Sequence, residues 1–225
     1  MTTNTQNLRN VAILGHSGSG KTTLIETMLF EGGKIRRRGS IENHNTVSDD
    51  TEIEHEREST IYSHQMFVPW KENKINILDT PGFDDFIGEV ISSLKISDTA
   101  VITLNASSGV EVGTELVWEY IKKFNTPCIV AINQVDHPKA DFEKSLSEAQ
   151  ELFGNHVVSV QYPMRTGEGF HQIIDALRMV MYDFPALGGK PEKKPIPDSE
   201  IEKAKVLHSV LVEIAAENED GLMEK

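Results

Sequence analysis

Apolar residues in this chain come in short blocks bounded by glycine, proline or charge. Residues 10–14, 100–104 and 128–132 are short, predominantly apolar runs, the texture of strands buried on both faces. Between them lie segments with helical spacing. Residues 22–30 carry Leu24, Ile25, Met28 and Leu29, and residues 113–124 carry Leu116, Val117, Tyr120, Ile121 and Phe124. Residues 141–153 read as another helix and residues 157–162 as a last strand. Residues 61–68 and 75–78 read as a hairpin joined by residues 69–74. This alternation predicts an α/β fold: a mostly parallel sheet with helices on both faces and a ligand at the carboxyl ends of the strands.

Two stretches break the pattern. Residues 32–60 lose apolar periodicity, passing from glycine and basic residues through Asn43, His44 and Asn45 to an acidic run over residues 49–58. A long irregular segment inside a domain is either functional or a surface insertion. Beyond the turn at residues 167–169, the spacing of Ile173, Ile174, Leu177, Val180 and Met181 favours a helix over residues 170–184. The β-branched and aromatic content there leaves strands open. Residues 186–197 hold Gly188, Gly189 and the prolines 191, 195 and 197, and read as a loop. Ser199-x-x-Glu202 reads as a capping box opening a last helix.

The chemistry begins where the first strand meets the first helix. Gly15-His16-Ser17-Gly18-Ser19-Gly20-Lys21-Thr22 fits G-x-x-x-x-G-K-[ST], the phosphate-binding P-loop. Its glycines let successive N–H groups curl toward phosphate oxygens. Lys21 adds a charge on the β/γ-phosphates, and the Thr22 hydroxyl can ligate Mg²⁺. The second strand of the hairpin runs into Asp79-Thr80-Pro81-Gly82. Asp79 stands at the position that holds a Mg²⁺-bound water, and Gly82 can bring its N–H against a γ-phosphate. Thr60, closing the irregular stretch, can complete the Mg²⁺ shell. The apolar run at 128–132 ends in Asn133-Gln134-Val135-Asp136. The carboxylate of Asp136 can accept from guanine N1–H and the exocyclic amine together, which adenine cannot offer, while Asn133 braces the loop.

Composition narrows the setting. The chain has 225 residues and a net charge of −13, which argues against broad nucleic-acid binding, DNA included. The basic cluster Lys34, Arg36, Arg37 and Arg38 reads as a solvated loop or a local RNA contact. No run is long and apolar enough to span a membrane, and residues 1–10 lack a signal core. The single cysteine, Cys128, is expected to be a buried thiol. A cytoplasmic monomer is the expectation.

The wording of these motifs resembles elongation factor G of the translational GTPases. Arg9-Asn10-Val11, His16, Lys21-Thr22-Thr23, Arg57, Thr60, the run from Ile75 through Gly82, Asp85-Phe86, Gly109-Val110-Glu111 and Ala140-Asp141 stand where that family has them. Gly169 to Tyr182, Pro195-Ile196-Pro197 and His208 to Ala216 look like the subdomain inserted late in its G domain. The resemblance implies a factor that uses GTP and GDP, with Mg²⁺, to move tRNA and mRNA through the ribosome. It implies nucleotide contacts from His16, Ser17, Gly18, Ser19, Gly20, Lys21, Thr22, Thr23, Asn133, Gln134 and Asp136. Mg²⁺ would fall to Thr22, Thr60 and, through a water, Asp79. The catalytic positions would be Lys21, Gly82 and Phe83. It divides the chain into a G domain over residues 1–160 and part of the inserted α+β subdomain over 161–225. It makes the chain an expected fragment, lacking a last strand and four further domains.

Four departures from that family stand out. Phe83 occupies the place of the histidine that orients the attacking water, and it has no polar atom to hold one. Gly18 replaces an aspartate. Gln134 replaces a lysine in the guanine loop. Glu58-Ser59 follows Arg57 where the family has glycine. Together they suggest an elongation-factor-G-like paralogue with weakened hydrolysis. The alternatives are a ribosome-binding switch without significant GTPase activity, or a ribosomal protection or release-factor relative.

Overall fold

The computed structural model describes residues 4–48, 51–57, 59–82, 84–154, 157–185 and 189–217. The chain divides into two units, Met1–Asn105 with Val110–Asn133, and Ala106–Gly109 with Gln134–Lys225.

In the first unit the apolar runs become strands: β1 (Leu8–Leu14), β2 (His64–Trp70), β3 (Asn73–Asp79), β4 (Thr99–Asn105) and β5 (Cys128–Asn133). They form one sheet in the order β2-β3-β1-β4-β5. β1 pairs in parallel with β3 and β4, and β4 with β5; only β2, on the edge, is antiparallel. The helices are α1 (Lys21–Glu31), α2 (Glu52–Arg57), α3 (Ile87–Ile96) and α4 (Val112–Phe124). Ile25 and Leu29 of α1 pack with Ile13, Val68 and Ile77 in a buried cluster on one face of the sheet. The pleat turns Ala12, Leu14, Leu78, Ala100 and Ile102 the other way, and they too are buried. α3 lies against β1 and α4, and α4 against β4. The register brings Leu14, Asp79, Asn105 and Asn133 to the carboxyl ends of their strands.

The hairpin is tighter than the six-residue joint expected. Pro69 and Trp70 belong to β2, paired with Lys74 and Asn73, and only Lys71 and Glu72 make the turn. Proline is tolerated there because β2 is an edge strand with no partner on its outer side among the described residues; Lys71 takes the left-handed conformation the turn needs, at φ 53°. The irregular segment also holds more structure than its polarity suggested: a 3₁₀ turn at Ile41–Asn43 and the six-residue α2. Cys128 is half-buried on β5, not fully buried, and what burial it has pushes its thiol pKa up.

The second unit contains α5 (Phe142–Phe153), β6 (Gln161–Pro163), β7 (Gln172–Asp175), β8 (Val180–Asp183), β9 (Glu192–Lys194) and α6 (Asp198–Glu217). Asp141 caps α5, accepting from Lys144 N–H at 3.0 Å. The four strands form an antiparallel sheet in sequence order. Residues 170–184 are therefore a hairpin rather than a helix. Asp175 turns the chain by accepting from Arg178 N–H at 2.8 Å, and Met179 follows at φ 52°. Likewise, the strand expected over 157–162 is shortened to β6 and joins this antiparallel sheet. The loop over 186–197 contains β9. α6 starts at Asp198, so Ser199 lies inside the helix and not at its cap. Tyr162, Ile174, Met181, Ile196 and Ala204 are buried in this unit, and the Tyr162 hydroxyl donates to Glu200 Oε2 at 3.2 Å.

Candidate functional site

The glycine loop spans the gap between β1 and α1. Gly15 sits at φ 139°, and a Cβ there would run into the carbonyl and hydroxyl of Thr103 on β4. Thr103 Oγ1 donates to Leu14 O at 2.8 Å and lies 2.9 Å from Ser19 Oγ. Asn133, ending β5, donates its Nδ2 to Ser19 O at 3.0 Å. Gly20 at φ 84° then turns the chain into α1. Lys21 is buried, and its ammonium donates back to Gly15 O at 3.0 Å and His16 O at 3.1 Å, so its charge lies under the curl of the loop. Gly18 is exposed on the outer bend at φ 79°, and Thr23 is exposed on α1. His16 Nε2 lies 3.7 Å from Glu111 Oε1.

The second motif closes on the first. Thr80 Oγ1 donates to Ile13 O at 2.8 Å, locking the end of β3 to β1. Gly82 packs so closely that a Cβ would meet Lys21 Nζ and the backbone of Ser17. Asp79 is fully buried, and Thr22 Oγ1 donates to its Oδ2 at 3.1 Å. Thr60, from the irregular segment, places its Oγ1 3.3 Å from Thr22 Oγ1. Thus the Thr22 hydroxyl lies within hydrogen-bond reach of oxygens from both Thr60 and Asp79, residues separate in sequence, in a buried spot beside the glycine loop. Such a donor set suits a hard divalent cation, and its residues fit Mg²⁺.

Phe83 lies outside the described residues. Gln134 and Asp136 belong to the second unit, in the turn that follows β5. Gln134 takes φ 57°, Asp136 is exposed, and Gly167 N–H donates to Val135 O at 2.8 Å, holding that turn.

Four residues of the first unit carry weight that sequence reasoning missed. Thr103 is a lone hydroxyl in an apolar run, which was its only signal. Glu26, on α1, is buried and accepts the N–H of Gly39 at 2.8 Å and of Val47 at 2.5 Å. Glu54, on α2, is fully buried as well. Its Oε1 accepts from Ile61 N–H at 3.0 Å and Tyr62 N–H at 3.2 Å, and its Oε2 from the Thr51 hydroxyl at 2.8 Å, with His64 Nε2 at 3.6 Å. Burial alone would push the Glu54 carboxyl up. The bonds from Ile61, Thr51 and Tyr62 and the nearby His64 outweigh it and hold the group below the usual carboxylate range. Glu89, on α3, accepts from Ser63 N–H at 3.0 Å. Nothing distinguishes these glutamates from solvated charges in the sequence. The arginines 36, 37 and 38 are exposed, and Lys34 lies over the Phe67 ring at 3.6 Å.

No described helix is long and apolar enough to cross a membrane. Comparison with known proteins agrees with the geometry. The family model described as the elongation factor Tu GTP binding domain matches residues 6–220. Elongation factor G of Mycoplasma pneumoniae is 39% identical over 220 residues, covering 96% of this chain and 32% of that protein. Elongation factor G of Mycoplasma genitalium is 37% identical over 225 residues, covering 99% and 32%. The crystal structure of a protein from Thermus thermophilus superposes with a TM-score of 0.89 at 29% identity, covering 96% of this chain and 32% of that one. The chain thus spans about a third of the length of the curated relatives it matches. It belongs to the family of elongation factor Tu GTP-binding domains, the GTPase domains of translation elongation factors.

Proposed function

We propose that this chain is the nucleotide-reading domain of an elongation-factor-G-like factor that works on the ribosome in the cytoplasm, as a monomer, holding GTP more readily than it hydrolyses it. The observation that carries the reading is the meeting of Thr22, Thr60 and Asp79 beside a buried lysine that Gly82 touches. In this reading the backbone of His16, Ser17, Gly18, Ser19 and Gly20 surrounds the phosphates, with Thr23 behind it, and Lys21 neutralises charge on the β/γ-phosphates. Thr22 and Thr60 would hold Mg²⁺ directly and Asp79 through a water; the ion would supply positive charge against the phosphates. Gly82 offers its N–H to the γ-phosphate. Asn133 braces the glycine loop, while Asp136 reads guanine and Gln134 covers the base. Residues 161–225 serve as the part of the inserted subdomain that the resemblance implies.

Phe83 supports slow hydrolysis on chemical grounds, because a phenyl ring cannot orient a water. Losing such a group costs about 10²-fold or more in rate. Phe83→His is expected to raise ribosome-stimulated phosphate release by about tenfold or more. Fast release by the unaltered protein, insensitive to Phe83→Ala, would contradict the reading. The site itself is tested by titrating the chain with labelled GTP, GDP and ATP. Guanine nucleotides should compete and ATP should not; preference for ATP would remove the role given to Asp136.

A further inference from the structure

Thr60 reaches Thr22, itself bonded to Asp79, from a largely polar segment whose neighbouring Ile61 is buried. What fixes it is one residue. The backbone carbonyl of Glu54 accepts Ser59 N–H at 3.2 Å, and its side-chain Oε1 accepts the N–H groups of Ile61 and Tyr62. Residue 60 is therefore bracketed on both sides by residue 54. Thr51 completes the bracket: its hydroxyl donates to Glu54 Oε2, and its Oγ1 accepts Glu54 N–H at 3.3 Å. His64, at the start of β2, lies 3.6 Å from the same oxygen, so the bracket is tied to the sheet. A fully buried carboxylate is costly without partners, and here both oxygens have them, which makes this arrangement specific rather than incidental.

We propose that Glu54 is a positioning residue for the metal site. By gathering the N–H groups of residues 61 and 62, and through its carbonyl that of residue 59, it sets the Thr60 hydroxyl against Thr22 and Asp79. It touches neither nucleotide nor metal itself. The inference rests on the reading of Thr60 as a Mg²⁺ ligand. A shorter or apolar side chain at 54 leaves two amides without their acceptor and lets the backbone around residue 60 drift. Glutamine keeps one acceptor oxygen for those amides but offers an NH₂ group to the Thr51 hydroxyl and His64.

The test is the dissociation rate of a fluorescent non-hydrolysable GTP analogue from the chain, measured with Mg²⁺ and again with EDTA. Glu54→Ala and Thr60→Ala are each expected to speed release about tenfold in Mg²⁺ and to leave the EDTA rate unchanged. The double variant should be no faster than either single one, because both remove the same ligand. Glu54→Gln should fall between Glu54→Ala and the unaltered chain, and it carries the test if the alanine variant does not fold. If Thr60→Ala lowers the Mg²⁺ effect but neither Glu54 variant does, or if the effects add, the positioning role is overturned. If Thr60→Ala itself leaves the Mg²⁺ effect intact, the reading of Thr60 fails and this inference falls with it.

Discussion

Two loops meet at the candidate site, and they are held in opposite ways. The glycine loop is shaped by its own sequence: Gly15 and Gly20 supply conformations other residues resist, and its closing lysine donates to the loop's own carbonyls. The segment between α1 and β2 is held chiefly by side-chain acceptors, one of them on its own helix α2. Its backbone is gathered by carboxylates from outside the strands: Glu26 takes Gly39 and Val47, Glu54 takes Ile61 and Tyr62, and Glu89 takes Ser63. The lesson concerns mobility. A loop built from φ angles cannot open without breaking its own geometry. A loop tied by a few side-chain acceptors can be released by withdrawing them, which suits a segment that must answer to a ligand.

The contrast can be broken from either side. The largest effect should come from Gly15→Ala, which forces a side chain at φ 139° against the Thr103 carbonyl. Destabilisation of about 3–4 kcal/mol is expected in chemical unfolding, together with loss of nucleotide binding. A loss under about 1 kcal/mol would mean the loop adapts more than its geometry suggests. Glu26→Ala should cost about 2 kcal/mol by stranding two amides. Its signature is local: amide exchange at Gly39 and Val47 should quicken while the glycine loop stays protected. Equal quickening in both loops would erase the distinction between them. The smallest effect sharpens the comparison with the second unit, where one carboxylate turns a hairpin by its bonds to Arg178 and reaches the neighbouring strand through Gln161. The Asp175 carboxyl is held below the usual carboxylate range; burial opposes this, but bonds from the Gln161 amide and from Arg178 outweigh it. Its charged form therefore stabilises the folded state fully above the unfolded value, and that contribution fades as pH falls through the lowered folded value. Asp175→Asn should lower stability at neutral pH by about 1–2 kcal/mol and flatten the acid limb below about pH 4. An acid limb of unchanged slope would assign the loss to other groups.

The legible parts were those whose cause is local. β1 and β4 announce themselves as apolar runs because most of their apolar residues are buried, whereas β5 carries such a run at the end of the sheet with Ile129 exposed; the glycine loop is legible by residue types that its curvature demands. Asp79 and Thr22 were legible as motif residues. Thr60 was singled out from its place at the end of the irregular segment. What escaped has a nonlocal or turn-chemical cause. Residues 170–184 satisfy helical spacing, yet Asp175 and the left-handed Met179 fold them into a hairpin. Pro69 looked like a turn residue, and only the topology, which puts β2 on the edge, lets it stand in a strand. Glu26 and Glu54 looked like any acidic surface, since most of their partners are backbone amides that carry no sequence mark.

Thr103 has a consequence for the order of protons beside the glycine loop. A threonine hydroxyl owns one hydrogen, and here it goes to Leu14 O. Toward Ser19 it can therefore offer only a lone pair, so the Ser19 hydroxyl must be the donor across their 2.9 Å separation. The two hydroxyls form a one-way relay ending on the β1 carbonyl. With its hydrogen committed inward, Ser19 Oγ faces any further neighbour only as an acceptor. A hydroxyl oriented in this way repels anionic oxygen and welcomes N–H. On the proposed reading of this loop as a phosphate cradle, recognition is thereby left to the backbone amides and the lysine, and this serine serves as scaffold.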